Sequence, residues 1–250
     1  LALDFFHQFF GENSRLTRTF KDFINAGVYP RNWLSLKHQR YISPVRFFLI
    51  INLLYFLLLP LGGFDGFTTP FYSQLNAQYY SGSIEEIVLN LISQSGMSQE
   101  QFIAAFDSRV TGLSNSLLIL MAPIVSFLLF VINFRKSRKA YHHLVTGLSF
   151  SSYIIFLALV VNLILVITIQ MDQWLNTSIA HYIVDSTIFP AQIIITTLYG
   201  YYFFKRLYND GFWITLSKAL YVSFLILITA ILAYRFLLLW ITLYSVVLFP

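Results

Sequence analysis

The chain contains no cysteine, and only 11% of its 250 residues are charged. The first absence excludes disulfides, thiolate nucleophiles and cysteine-based metal clusters within these residues. The second excludes more. A soluble domain carries roughly 25% charged residues, whereas this chain combines its few charges with 57% hydrophobic residues and a mean hydropathy of +0.68. So few polar groups cannot cover the apolar surface of a chain this size, so the solvent it implies is lipid. Catalytic signatures are also missing. There is no H-E-x-x-H, no G-x-S-x-G and no phosphate-cradling glycine loop, and Gly62-Gly63 merely closes an apolar run. Nothing before residue 44 has the unbroken apolar core of a signal peptide. The chain opens on Leu1 rather than Met, which leaves residues upstream an open matter.

What is present is a series of apolar runs. A spanning helix needs about 20 mostly apolar residues, because the hydrocarbon layer is roughly 30 Å thick. Residues 47–64, 117–134, 153–170 and 188–204 approach or meet that need, and a fifth run extends from 214 almost to 250, interrupted by Lys218 and Arg235. The fold class expected is an all-α membrane protein with about five transmembrane helices. An N-terminal amphipathic interfacial helix and a small helical extracytoplasmic loop complete it. Residues 1–43 form the cytoplasmic or interfacial segment and 44–250 the membrane domain, with 65–115 as the extracytoplasmic helical insertion. The fifth run is too long for one upright span, and residues 236–250 are left to span, tilt or lie along the surface.

The net charge of +5 and pI near 9.3 invite a nucleic-acid reading, but position matters more than sum. With five spans, one side holds 14 of the 16 Lys and Arg with four acids, and the other holds Arg109 and Arg235 with seven acids, a balance of +10 against −5. Cytoplasmic loops retain Lys and Arg, which puts the N-terminus inside and the C-terminus outside a bacterial cytoplasmic (inner) membrane. The stretch "NFRKSRKAYHH" at 133–143 then reads as a topology determinant, with Arg135, Lys136, Arg138 and Lys139 touching anionic headgroups. Trp33, Tyr141 and Trp213 fall near the inner boundary and Trp174 and Tyr182 near the outer one, as interfacial aromatics do. The basic residues belong to the membrane face and no binding motif accompanies them, so nucleic acid is not a partner.

Two regions lie outside the runs. In "ENSRLTRTFKDFINAG", helical spacing puts Leu16, Phe20, Phe23 and Ile24 on one face and Arg15, Arg18, Lys21 and Asp22 elsewhere, with Gly27 as the stop. A basic amphipathic helix beside a membrane lies in its surface or docks a soluble partner. Between the first two runs, Ser83 with Glu86 and Ser98 with Gln101 fit capping boxes. They predict two short helices with apolar stripes through Ile84, Val88 and Leu91 and through Phe102 and Phe106.

Side chains able to carry chemistry are few. His142 and His143 are adjacent, so on a helix they point about 100° apart and cannot chelate one ion as an i, i+4 pair can. Even with His7 and His38, no metal site or cofactor is expected. Polar groups inside the runs are costly in lipid without partners. Asn133, Asn162 and Gln192 serve either as helix–helix contacts or, with Pro123 and Pro190 bending their helices, as the lining of a polar pathway. Asp185 and Arg235 sit where they can pair at the outer boundary.

The run "LTRTFKDFINAGVYPRNWLSLKHQRYISPVRFFLIINLLYFLL" resembles the opening of a functionally uncharacterised bacterial integral-membrane family. In that family an amphipathic helix leads through a basic R-Y-x-S-P-x-R-x-F-L segment into the first span. "YHHLVTGLSFSSYIIFL" is similar to the same family's basic lead into a later span. Many members carry an N-terminal cysteine zinc ribbon, which this chain lacks. The resemblance implies the helical membrane fold and no catalytic residues. The functional expectation is a non-catalytic accessory, assembly or scaffold component of the cell envelope, with the bilayer, other envelope proteins or a second copy (a homo-oligomer) as partners. The alternatives are a transporter or channel for a small or lipid-like solute, and a membrane enzyme using His142 or His143 with Arg40 and Arg46.

Overall fold

The computed structural model of the chain describes residues 14–59, 68–76, 78–136, 139–175 and 188–248. His7, Gly62, Gly63, Arg138, Tyr182 and Asp185 lie outside the described residues. The described residues are mostly helical, with no strand among them. In chain order the helices are α1 (Arg15–Ile24), α2 (Val28–Leu34), α3 (Pro44–Leu58), α4 (Phe71–Asn76), α5 (Ser81–Ser95), α6 (Gln99–Leu117) and α7 (Met121–Asn133). They continue with α8 (Ala140–Leu175), α9 (Ile188–Tyr208), α10 (Phe212–Ile228) and α11 (Arg235–Leu248). A 3-10 turn (Leu118–Leu120) joins α6 to α7, and a π-helical stretch (Thr229–Tyr234) joins α10 to α11.

Among the described residues, three helical stretches are long and apolar enough to cross a membrane: His38–Leu58, Gln99–Asn133 and Ala140–Leu175. α9 has the length, but Gln192, Thr196, Thr197 and its tyrosines dilute it. The fifth apolar run is divided by the π-helical stretch into two shorter apolar helices, Phe212–Ile228 and Arg235–Leu248. The second of the two short helices expected near residue 100 is not short. Ser98 does form its capping box with Gln101, but Gly112 does not stop the helix, which runs on through the 3-10 turn into α7. The first box does not form. α5 starts at Ser81, whose hydroxyl donates to the Gln74 carbonyl at 3.0 Å and accepts from the Gln78 amide at 3.0 Å. That tie sets the helix start and leaves Ser83 inside the first turn.

The chain forms two compact units, residues 1–64 with 120–225, and 65–119 with 226–250. In the second unit, α11 packs on α5 and α6, burying Leu238, Leu239, Leu243 and Val246. Asp107 accepts the Phe71 amide at 2.8 Å and so caps α4, while Phe71 lies edge-on to Phe106, 5.3 Å between centroids. Tyr234 donates to the Ser114 carbonyl at 2.9 Å. Arg109 donates to the Ser245 carbonyl, and Arg235 reaches Gln78 at 3.3 Å.

The first unit is built around α8, which packs against α7, α3, α2 and α9. At 36 residues and ~1.5 Å per residue, α8 is about 54 Å long, far more than the ~30 Å of a hydrocarbon layer. Its two halves differ accordingly. Val145–Tyr153 is buried on every side, serines included, whereas Ile164, Ile167, Met171 and Trp174 further along are exposed. Thr146, Ser149 and Ser152 tolerate burial because their hydroxyls bond carbonyls of the preceding turn, as Ser149 does to Val145 at 2.8 Å and Ser152 to Leu148 at 2.8 Å.

The N-terminal helices fold onto the buried half. Ser14 caps α1 by accepting the Thr17 amide at 3.1 Å. Phe23 is buried between Phe47 and Phe156, at 4.9 and 5.8 Å between ring centroids, and Phe20 also meets Phe156. Ile24, expected on the same face, instead points out and is exposed. Gly27 turns the chain into α2 with φ +80°, and a Cβ there would stand 2.8 Å from the Phe203 carbonyl oxygen. Only glycine meets both demands cheaply. Tyr29 donates to the Ile42 carbonyl at 2.6 Å and Trp33 to the Tyr141 hydroxyl at 2.7 Å, so α2 is tied to the starts of α3 and α8.

Candidate functional site

The densest constellation of charge lies where α7, α9 and α10 end or begin within the first unit. α9 stops at "YNDG". Asn209 takes φ +49°, the left-handed conformation that ends helices and that Asn tolerates best after Gly. The turn delivers Asp210, whose side chain is 4% exposed. Its Oδ1 meets Lys136 Nζ at 2.6 Å and its Oδ2 meets Lys218 Nζ at 2.7 Å. Lys218, in the second turn of α10, also donates to Asn133 Oδ1 at 2.8 Å and stands 5.4 Å from the centre of the Tyr208 ring. The Asp210 carbonyl accepts Lys205 Nζ at 2.6 Å and the Thr215 hydroxyl at 3.3 Å. One residue thus holds three helix ends: its carboxylate the end of α7 and the first turns of α10, and its carbonyl the last turn of α9.

The electrostatics favour the ionised clasp. Burial alone would raise the Asp210 carboxyl, but the hydrogen bonds and charges of Lys136 and Lys218 outweigh it and hold the group below the usual carboxylate range. Each oxygen receives one lysine, so both ends of the carboxylate are committed to a cation. The cluster is built to hold helix ends. Among the described residues, no group of three or more His, Asp or Glu could hold a metal ion.

The residues singled out in the sequence are distributed unevenly around this clasp. Asn133 and Lys136 belong to it. Arg135 and Lys139 are exposed beside it, and Arg138 lies outside the described residues. His143 is buried edge-on against Phe130, 5.3 Å between centroids, while His142 is half-buried. Asn162 is buried on the exposed-faced half of α8, and Gln192 is half-buried on α9. Pro123 and Pro190 are both exposed. Pro190 is the third residue of α9, where the missing amide costs little because first-turn amides have no intrahelical partner, whereas Pro123 follows the 3-10 turn inside the continuous stretch Gln99–Asn133. Asp210 went unassigned in the sequence. The available signal was its isolation, as the one acid between Lys205, Arg206 and Lys218.

A second feature of the same unit is an open cleft of about 420 Å³ between the α1–α2 turn, α8 and α9. Comparison with protein families, with curated proteins and with solved structures returns no match to this chain.

Proposed function

We propose that this chain is a non-catalytic polytopic protein of the bacterial cytoplasmic membrane, an accessory, assembly or scaffold component of the cell envelope. It crosses the bilayer five times, with the N-terminus inside and the C-terminus outside, and α1 lies at the inner surface. The family it resembles in sequence is the functionally uncharacterised one described above. Membrane residence is supported by the helices long and apolar enough to cross, and by the surface they leave uncovered. Only 22% of the most apolar window of Ala140–Leu175 is buried within the protein. Water is a poor medium for the rest, at roughly 25 cal/mol for each Å² of apolar surface.

The observation that carries the non-catalytic reading is the Asp210 clasp. Within the clasp the charges are spent on one another, Asp210 on Lys136 and Lys218, and Lys218 on Asn133. Its one buried carboxylate is thereby committed to holding helix ends. Partners are then recognised by surfaces and not by a reacting group: other envelope proteins or a second copy.

Two measurements on one preparation test this. After mild cross-linking in intact cells, the purified chain should carry a reproducible set of membrane or envelope proteins, or a second copy of itself. In sealed liposomes it should move no solute. A chain that purifies alone and transports solute in liposomes would replace this reading with the transporter.

A further inference from the structure

The cleft beside α9 has a direction. From Ile195 to Arg206, α9 rises about 16 Å at ~1.5 Å per residue, and along that length the lining changes from aliphatic to cationic. Ile195 and Leu198 form one end and are exposed. Tyr202 follows, also exposed, and Arg206 closes the other end. Ile24, turned outward from the rest of the apolar face of α1, supplies the opposite wall. The floor is a pair of stacked tyrosines, Tyr153 and Tyr199, with ring centroids 3.5 Å apart. Both are held by hydrogen bonds to backbone, Tyr153 to the Ile195 carbonyl at 3.3 Å and Tyr199 to the Phe23 carbonyl at 3.1 Å. The cleft is therefore a formed shape with a fixed floor, and its volume falls within the ~300–1,000 Å³ of ligand sites.

Arg206 is half used. Its Nη1 donates to the Ala26 carbonyl at 2.7 Å and to Asn25 Oδ1, which satisfies the end of α1. Both bonds leave from the same nitrogen. Among the described residues no acceptor meets Nη2 or Nε, and among those that line the cleft none is acidic. The guanidinium edge matches a phosphate in a two-bond fork.

We propose that this cleft binds one anionic phospholipid, its phosphate on the Nη2–Nε edge of Arg206 and an acyl chain along Ile195, Leu198 and Ile24. The inference rests on the membrane reading above, which brings lipid to the cleft. The charge supports an anionic headgroup over a zwitterionic one, since the fork is cationic and no carboxylate stands by to receive a choline. The aliphatic end supports a lipid over a free phosphate, which would gain nothing from Ile195 or Leu198. Tyr202 stands between the two ends, where the glycerol level of a lipid would lie and where tyrosine is favoured at membrane boundaries.

The test uses the full chain, purified in detergent and stripped of lipid. Thermal stability is followed while short-chain phosphatidylglycerol, the matching phosphatidylcholine, or inorganic phosphate is added. Phosphatidylglycerol should stabilise the wild type at concentrations at least tenfold lower than phosphatidylcholine, and inorganic phosphate should do nothing. Leu198→Trp fills the cleft from an exposed position without touching Arg206 and should remove the phosphatidylglycerol response. Arg206→Gln should reduce the response to that of phosphatidylcholine. Equal responses to the two lipids, an undiminished response in Leu198→Trp, or stabilisation by phosphate alone would each overturn the proposal. Flotation of the wild type and both variants with vesicles separates this from the membrane reading: failure of the wild type to float refutes that reading, whereas absence of lipid selectivity in a wild type that floats refutes only the site.

Discussion

Replacing Asp210 with alanine is expected to cost about 3–5 kcal/mol of stability, the usual consequence of leaving a buried charge without its partner. The stranded group is Lys218, whose side chain is only 15% exposed. Its remaining partners, Asn133 Oδ1 and the Tyr208 ring, are neutral. Lys136 is different. Its side chain is 49% exposed, so its half of the clasp resembles a surface ion pair, and Lys136→Ala should cost about 1 kcal/mol or less. The double change Asp210→Ala with Lys218→Met should recover most of the loss, because a buried ion pair replaced by apolar groups is often neutral. Unfolding in detergent measures all three. The pH dependence follows from the direction of the Asp210 shift. A carboxyl depressed in the folded state contributes stability that is complete above its unfolded pKa and is lost as pH falls through the folded value. Acidification through and below the ordinary carboxylate range should therefore weaken the wild type more than the double variant. An Asp210→Ala protein as stable as the parent would mean that the clasp holds nothing.

The second large effect is at Gly147. A Cβ added there would lie 2.1 Å from Ser126 Oγ, 2.5 Å from Ser126 Cα and 2.7 Å from its Cβ. Side-chain rotation cannot clear a backbone atom, so α7 and α8 must separate, and α7–α8 is the most extensive helix pairing in the first unit. Overpacking of this kind costs about 1–3 kcal/mol and occasionally more, and Gly147→Ala should stand at or above the top of that range. Gly200 is the control. A Cβ there meets the Ala219 Cβ at 3.5 Å, an ordinary contact, so Gly200→Ala should be neutral or gain a few tenths of a kcal/mol from helix propensity. Expression and thermal stability of the two alanine variants, compared side by side, decide the matter. Equal stabilities would show that the close approach of α7 to α8 is not as described.

The different fates of these residues in the sequence have a physical cause. Apolar runs and local caps are short-range signals, and they were readable: α3, α7 and α8 coincide with apolar runs, and the Ser98 capping box forms where its spacing predicts it. Ser83 shows the limit. Its pattern is as good as that of Ser98, but the start of α5 is decided by Ser81 bonding to Gln74 and Gln78. Gly147 looks like any helix glycine until Ser126, far away in sequence, is placed against it. The clasp joins residues 133, 136, 210 and 218, and no periodicity links positions so far apart. In sequence the four cations at 135–139 read as interchangeable. The structure gives Lys136 a specific carboxylate and leaves Arg135 and Lys139 on the surface. The outward turn of Ile24 was equally hidden, because helical spacing places residue 24 beside residue 20 but cannot say how wide a face the neighbours will cover.

Because the chain has no cysteine, a single introduced thiol reports its own side of the membrane without background. Ser35 lies in the exposed turn after α2, and Ser93 is exposed on α5. In intact cells, a membrane-impermeant maleimide should label Ser93→Cys directly and Ser35→Cys only after the membrane is opened. Labelling of Ser35→Cys in intact cells would contradict the orientation, and equal labelling of both variants would contradict the crossing between them.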